Sequence, residues 1–144
     1  MPILVRLESL TYGTSQSMPD EAEISSVCPT IGEEGIARVV AGFYRRVPDD
    51  EVLGPMYPPD ALAEAESRLR EFLIFRFGGP DRYIQQRGHP RLRIRHAPFA
   101  LTQQARDRWV ALMDQALSEA ELPAAIENIM REFLHQIATF LINS

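Results

Sequence analysis

The residues best suited to chemistry lie between positions 88 and 99, in the run GHPRLRIRHAPF. It holds His89 and His96, two of the chain's three histidines, with Arg91, Arg93 and Arg95 between them and Arg87 just before the run. Gly88 and Pro90 end one helix, and Pro98 limits the next to about two turns of ~3.6 residues each. An imidazole at the end of so short a helix is held on both sides. The arginines alternate with Leu92 and Ile94, which reads as one apolar side and one cationic side. That pairing suits an apolar slot for something flat, with anionic groups at its mouth.

A lone histidine in a mixed helix is more often structural than a ligand, but His96 combines this fixed frame with the arginines around it. His89 and His96 do not match HExxH, and no cysteine or paired carboxylate stands near, so the spacing is not that of a zinc site. A neutral imidazole supplying one axial bond to iron fits better. Tyr44, Tyr57 and Trp109 fall among valine, leucine and phenylalanine positions on three separate elements. Aromatics at helical spacing are ordinarily core, yet each of these carries a polar hydrogen that must be satisfied when buried. Pointed at one spot they make a hydrogen-bonding cage for a small polar ligand; spacing alone leaves that convergence open. Arg68, Arg93, Arg95 and Tyr83 are candidates for an anion site, against the alternative of a solvated charged face. Glu64, Glu66 and Glu71 near Arg68 and Arg70 read as surface pairs within one helix. No nucleophile elbow, phosphate-binding glycine loop or supported carboxylate pair is present.

These side chains need helices to carry them. Ile36, Val39, Val40, Phe43 and Val47 recur at helical spacing over residues 32–47. VPDDEVLGPMYPPD follows as a rigid, non-repetitive connection. Asp60 is expected to cap a second helix with Leu62, Ala65, Leu69, Phe72 and Leu73 on its apolar face, ended by Gly78-Gly79-Pro80. Asp81 is expected to cap a short helix bearing Tyr83. Thr102 caps a helix with Ala105, Trp109, Leu112, Met113, Ala116 and Leu117, and Leu122-Pro123 opens the last, from Ile126 to Leu141. No period-two run or hairpin dipeptide is found. The expected class is all-α, with four main helices and several short ones. Residues 1–29 lack a sustained period and read as a mobile N-terminal extension with at most a short helix near its end; residues 30–144 form the folded domain.

At 144 residues the chain is one domain by length, and its 45% hydrophobic and 24% charged content are those of a globular protein. No apolar run approaches the ~20 residues of a membrane span, and no signal peptide is expected. A net charge of −5 argues against nucleic acid as the main partner. Cys28 is the only cysteine, so no internal disulfide forms, which fits a cytoplasmic location. All 15 basic residues are arginine, so any anion site here is built from guanidinium groups able to bind in bidentate fashion.

Taken together, FYRRVPDDEVLGPMYP, the second helix ending in FGGP, YIQQRGHPRLRIRHAPF and DRWVALM resemble the second group of the truncated haemoglobins, in order and spacing, from about residue 32 onward. The double glycine and RHAPF are the most specific parts. The resemblance implies a globin-like two-over-two helical sandwich enclosing haem b. His96 falls on the proximal position that binds iron. Tyr44, Tyr57 and Trp109 fall on distal positions that meet the bound ligand, and Ala65 and Leu69 on the distal helix beside it, so there is no distal histidine. Phe72 and Leu73 of the same helix fall against the cofactor. Arg68, Tyr83, Arg93 and Arg95 fall where the haem propionates are bound. The first thirty residues exceed the minimal pattern of the family.

Two classes of function stay open on this reading. One is reversible binding of dioxygen at a five-coordinate iron, for storage, transport or sensing, with carbon monoxide and nitric oxide as further ligands. The other is a haem enzyme, a peroxidase or a nitric oxide dioxygenase. No Rossmann fingerprint is present, so turnover would need a separate reductase. A homodimer is also left open.

Overall fold

The computed structural model describes residues 19–144, and among them the chain is all-α. The mobility expected of the N-terminal extension therefore lies, for residues 1–18, outside the described residues. The first described helix, α1 (Glu21–Ser25), starts on a reciprocal cap: the Glu23 N–H donates to Asp20 Oδ1 at 2.8 Å and the Asp20 N–H to Glu23 Oε1 at 3.1 Å. Helix α2 (Val27–Arg46) is interrupted at Gly32, whose φ of 74° only glycine adopts readily, so the regular helix begins at the predicted place with an extra turn ahead of it. Its stripe of Ile36, Val39, Val40 and Phe43 is fully buried.

The packed structure starts earlier than residue 30. Ile24 and Val27 are buried in the core, Arg76 pairs with Glu21, and α1 packs against the last helix. So few apolar residues carry no readable period, which is why the sequence places this segment outside the fold.

Three 3-10 turns (Val47–Asp49, Gly54–Met56 and Pro59–Ala61), each with a proline at its first or second position, make the connection to α3 (Leu62–Arg76). Asp60 does not cap α3; it sits inside the last of these turns, and Ala61 takes the cap position with no side-chain bond. The rigid ring of Pro59 continues the turn and carries the helix start past the aspartate. Helix α3 ends as expected, with Gly78 at φ 94°. There the chain meets the α1–α2 junction, the Cys28 N–H donating to the Phe77 carbonyl at 2.8 Å.

Two short helices follow, α4 (Arg82–Arg87) and α5 (Leu92–His96), and then two long ones, α6 (Gln103–Glu119) and α7 (Ala124–Phe140). Thr102 caps α6 as predicted, its hydroxyl accepting from the Ala105 N–H at 3.1 Å. Asp81 stands at the start of α4 without a capping bond, its carboxylate accepting instead from Gln85 Nε2 at 2.8 Å. Helices α2 and α3 form one layer, α6 and α7 the other, with α2 crossing α6 closely: a Cβ on Gly42 would lie 3.3 Å from the Ala116 Cβ. Among the described residues no helix is long and apolar enough to cross a membrane.

Candidate functional site

The two layers and the short elements between them enclose a cavity of about 690 Å³. Tyr44 reaches it from α2, Tyr57 from the connecting turns, and Ala65, Arg68, Leu69, Phe72 and Leu73 from α3. Tyr83 comes from α4, Arg95 and His96 from α5, and Trp109 from α6. Three elements thus bring the two tyrosines and the tryptophan onto one space.

Helix α5 holds the imidazole. His96 Nδ1 lies 2.7 Å from the Leu92 carbonyl, one turn earlier. A carbonyl only accepts, so Nδ1 carries the proton and Nε2 keeps its lone pair. This is the tautomer a metal ligand needs, with the orienting bond supplied by the backbone. Among the described residues no group of three or more histidine, cysteine or acidic side chains could hold a metal ion.

The expected apolar and cationic sides of α5 are corrected in part. Leu92 is buried, but Ile94 is 67% exposed. Alternation describes a strand; in a helix, residues two apart are rotated by roughly 200° and face opposite ways. By the same rule Arg93 does not line the cavity: its guanidinium lies over the Phe140 ring, 5.2 Å from the centroid.

On the other side of the cavity the aromatic rings brace one another. Tyr44 packs edge-on against Phe43 at 5.0 Å and against Tyr57 at 5.7 Å, and Phe43 meets Trp109 at 5.2 Å. Burial, and then the neighbouring Tyr57, push the Tyr44 hydroxyl far above its ordinary value; burial likewise raises that of Tyr57. Both remain neutral hydrogen donors across the physiological range, and the indole N–H of Trp109 is a donor only.

The turns carrying Tyr57 are tied to α6 by Asp50. Its side chain is 2% exposed, accepts from the Leu53 N–H at 2.8 Å and the Val52 N–H at 3.0 Å, and pairs with Arg108, whose Nε lies 2.9 Å away. Burial alone would raise the Asp50 carboxyl, but the bonds from Arg108 and the two N–H groups outweigh it and hold it below the ordinary carboxylate value.

Cationic groups gather at one margin. Arg95 donates to the Arg87 carbonyl at 2.9 Å and lies over the Tyr83 ring. Glu64, which the sequence pairs with its own helix, reaches α4 instead: Arg87 Nη2 lies 2.6 Å from Glu64 Oε1, against 3.7 Å for Arg68. Glu71 likewise pairs with Arg82 at 3.0 Å. Arg87, which the sequence reading names beside the histidine segment but not among the anion-site candidates, lines the cavity, and its Nε is buried with no hydrogen-bond partner. The available signal was its position one turn after Tyr83, on the same face of α4. Met56 and Phe99, which lie inside quoted motifs but were given no role, and Arg106, which lies outside them, also line the cavity.

Comparison with known proteins bears on what this arrangement is. The model of the bacterial-like globins matches residues 29–143, most of the chain. The chain belongs to the bacterial-like globin family. This globin is 35% identical over 113 residues to the group 2 truncated hemoglobin YjbI of Bacillus subtilis (strain 168), covering 78% of the chain and 85% of that protein. It is 31% identical over 137 residues to two-on-two hemoglobin-3 of Arabidopsis thaliana, covering 93% and 78%. Among solved structures it is similar to the thermostable hemoglobin of the actinobacterium Thermobifida fusca, at 42% identity and a TM-score of 0.78, covering 81% of this chain and 96% of that one. The resemblance to group II truncated haemoglobins and the two-over-two globin fold are thereby shown.

Proposed function

We propose that this globin binds haem b through His96 and reversibly holds dioxygen beside Tyr44, Tyr57 and Trp109. The observation that carries the reading is one cavity shared by an imidazole with a free Nε2 and by three neutral hydrogen donors. The residues present fit the group. The cavity is lined largely by apolar side chains, as a flat macrocycle requires, and Arg68, Arg87 and Arg95 stand at its margin for two carboxylates. The unpartnered Nε of Arg87 is a donor in need of such an acceptor. When bound, the haem iron supplies the coordination position for the ligand. The chain supplies the axial base, excludes water with Leu69, Phe72 and Leu73, and donates hydrogen bonds from the distal hydroxyls and indole.

An absorption spectrum of the purified protein, oxidised and then reduced under carbon monoxide, tests the proposal beside a His96→Ala variant. An intense Soret band that shifts with carbon monoxide, and is weakened or altered in the variant, is the expected result. No uptake of added hemin by the parent protein would overturn it. Stopped-flow mixing with hydrogen peroxide separates the binder from the alternative of a haem enzyme served by a separate reductase: slow bleaching marks the binder, rapid formation of an oxidised haem species with substrate turnover the enzyme.

A further inference from the structure

We propose that Asn143, in the segment after α7, is a positioning residue that sets the placement of His96 from outside the cavity; the inference rests on the haem reading above. Every polar group of the Asn143 side chain is engaged with the loop that follows the histidine. Its Nδ2 donates to the carbonyl of Phe99 at 3.0 Å and to that of His96 itself at 3.3 Å. Its Oδ1 accepts from the Leu101 N–H at 2.9 Å. The Asn143 and Ser144 N–H groups both donate to the Leu101 carbonyl, at 2.9 and 3.3 Å. With two carbonyls on one side and an N–H on the other, only one orientation of the amide satisfies all three bonds.

The loop has little else to hold it. Residues 97–100 are exposed, and Pro98 has no N–H to give. Helix α5 is five residues long, too short to hold its own position through helical hydrogen bonds. Leu92 is buried at its start, Arg93 and Arg95 reach out to Phe140 and to the Arg87 carbonyl, and the backbone at its C-terminal end is held by Asn143. Because His96 Nδ1 is bonded to the Leu92 carbonyl of the same helix, a shift of the α5 C-terminus carries the ring with it. Asn143 thus governs where Nε2 stands in the cavity without itself lining it.

The test compares the parent with Asn143→Ala and Asn143→Asp in the full chain. The aspartate keeps the acceptor for Leu101 but turns an oxygen toward two carbonyls, so it separates holding the loop from holding His96. Three readouts are taken: the iron–histidine stretching band of the reduced, ligand-free protein by resonance Raman, the rate of haem transfer to excess apomyoglobin, and hydrogen exchange at the Leu101 amide. For Asn143→Ala a shifted or broadened band, faster Leu101 exchange and haem transfer accelerated about fivefold per hydrogen bond lost are expected. Asn143→Asp is expected to keep Leu101 protected and still shift the band. An unchanged band and unchanged haem transfer in both variants would overturn the proposal even if Leu101 exchange rises, since Asn143 would then only staple the loop. A parent protein without a Soret band is a different failure: it removes the haem reading, and this inference with it.

Discussion

At the scale of single residues, the hydrogen donors proposed for the ligand site and Asp50 are assigned different work, and their variants separate it. The hydroxyl of Tyr44 and the indole N–H of Trp109 can each give a ligand one net hydrogen bond worth about 1 kcal/mol, a factor of roughly five in escape rate. Tyr44→Phe or Trp109→Phe is therefore expected to speed dioxygen release about fivefold, and the double variant by one to two decades, measured by stopped-flow displacement with carbon monoxide. Unchanged off-rates would remove these side chains from the ligand site. Asp50 acts on the frame instead. Asp50→Ala leaves the Leu53 and Val52 N–H groups without their acceptor, a cost of roughly 1–3 kcal/mol in denaturant unfolding. Because the folded carboxyl lies below its ordinary value of about 3.9, its stabilisation is complete above that pH and is lost as pH falls through the lower, folded value. The stability gap between parent and Asp50→Ala should accordingly be constant from neutral pH to about 4 and close below it. A gap that persists in strong acid would show that the carboxylate is not its source.

At the scale of elements, Gly78 joins three helices. A Cβ there would lie 2.1 Å from the Ser25 carbonyl oxygen, and φ of 94° already disfavours any other residue. Neither atom belongs to a flexible side chain, so the end of α3 and the α1–α2 junction must separate. Gly78→Ala is expected to cost about 2–4 kcal/mol by urea unfolding, from overpacking plus left-handed strain, whereas Gly32→Ala, where a Cβ meets nothing within 4 Å, should show the strain alone. A cost at Gly78 below about 1 kcal/mol would contradict the close approach. This junction also shows what a sequence discloses. The glycines that end α3, the Thr102 cap and the apolar stripes of α2, α6 and α7 are local signals, and each was legible. The Asp60 cap was misplaced because proline geometry overrode a good capping residue. The reach of Glu64 and Glu71 to α4 was invisible, since the spacing along α3 satisfies them equally well at home. Tyr44, Tyr57 and Trp109 were conspicuous by residue type, but their meeting depends on α2 crossing α6, which no spacing contains.

For the whole molecule, the question is what a chain of this size gains by enclosing about 690 Å³. Protein interiors are packed to crystal-like density, and voids larger than a water molecule are few, so a space of this size calls for an occupant. Its walls come from both layers: Phe72 and Leu73 of α3 on one side, Leu134 and Ile137 of α7 on the other, with α5 lying between them on little core of its own. Filling the space buries apolar surface on every wall at once, so haem would act as part of the core. Binding to the folded chain alone raises stability by RT ln(1 + [L]/Kd), about 4 kcal/mol at a thousandfold excess over Kd. Removing haem should therefore lower the unfolding midpoint sharply and loosen the molecule unevenly. Amides of α5 and of residues 97–101 should exchange far faster, while those of α2, whose Ile36, Val39, Val40 and Phe43 are buried independently of the cavity, should change little. Calorimetry and hydrogen exchange on the protein with and without hemin read both effects. If the midpoint does not move, the cavity is not filled by the cofactor; if it moves with uniform exchange, the two layers depend on haem as a single unit rather than holding it between them.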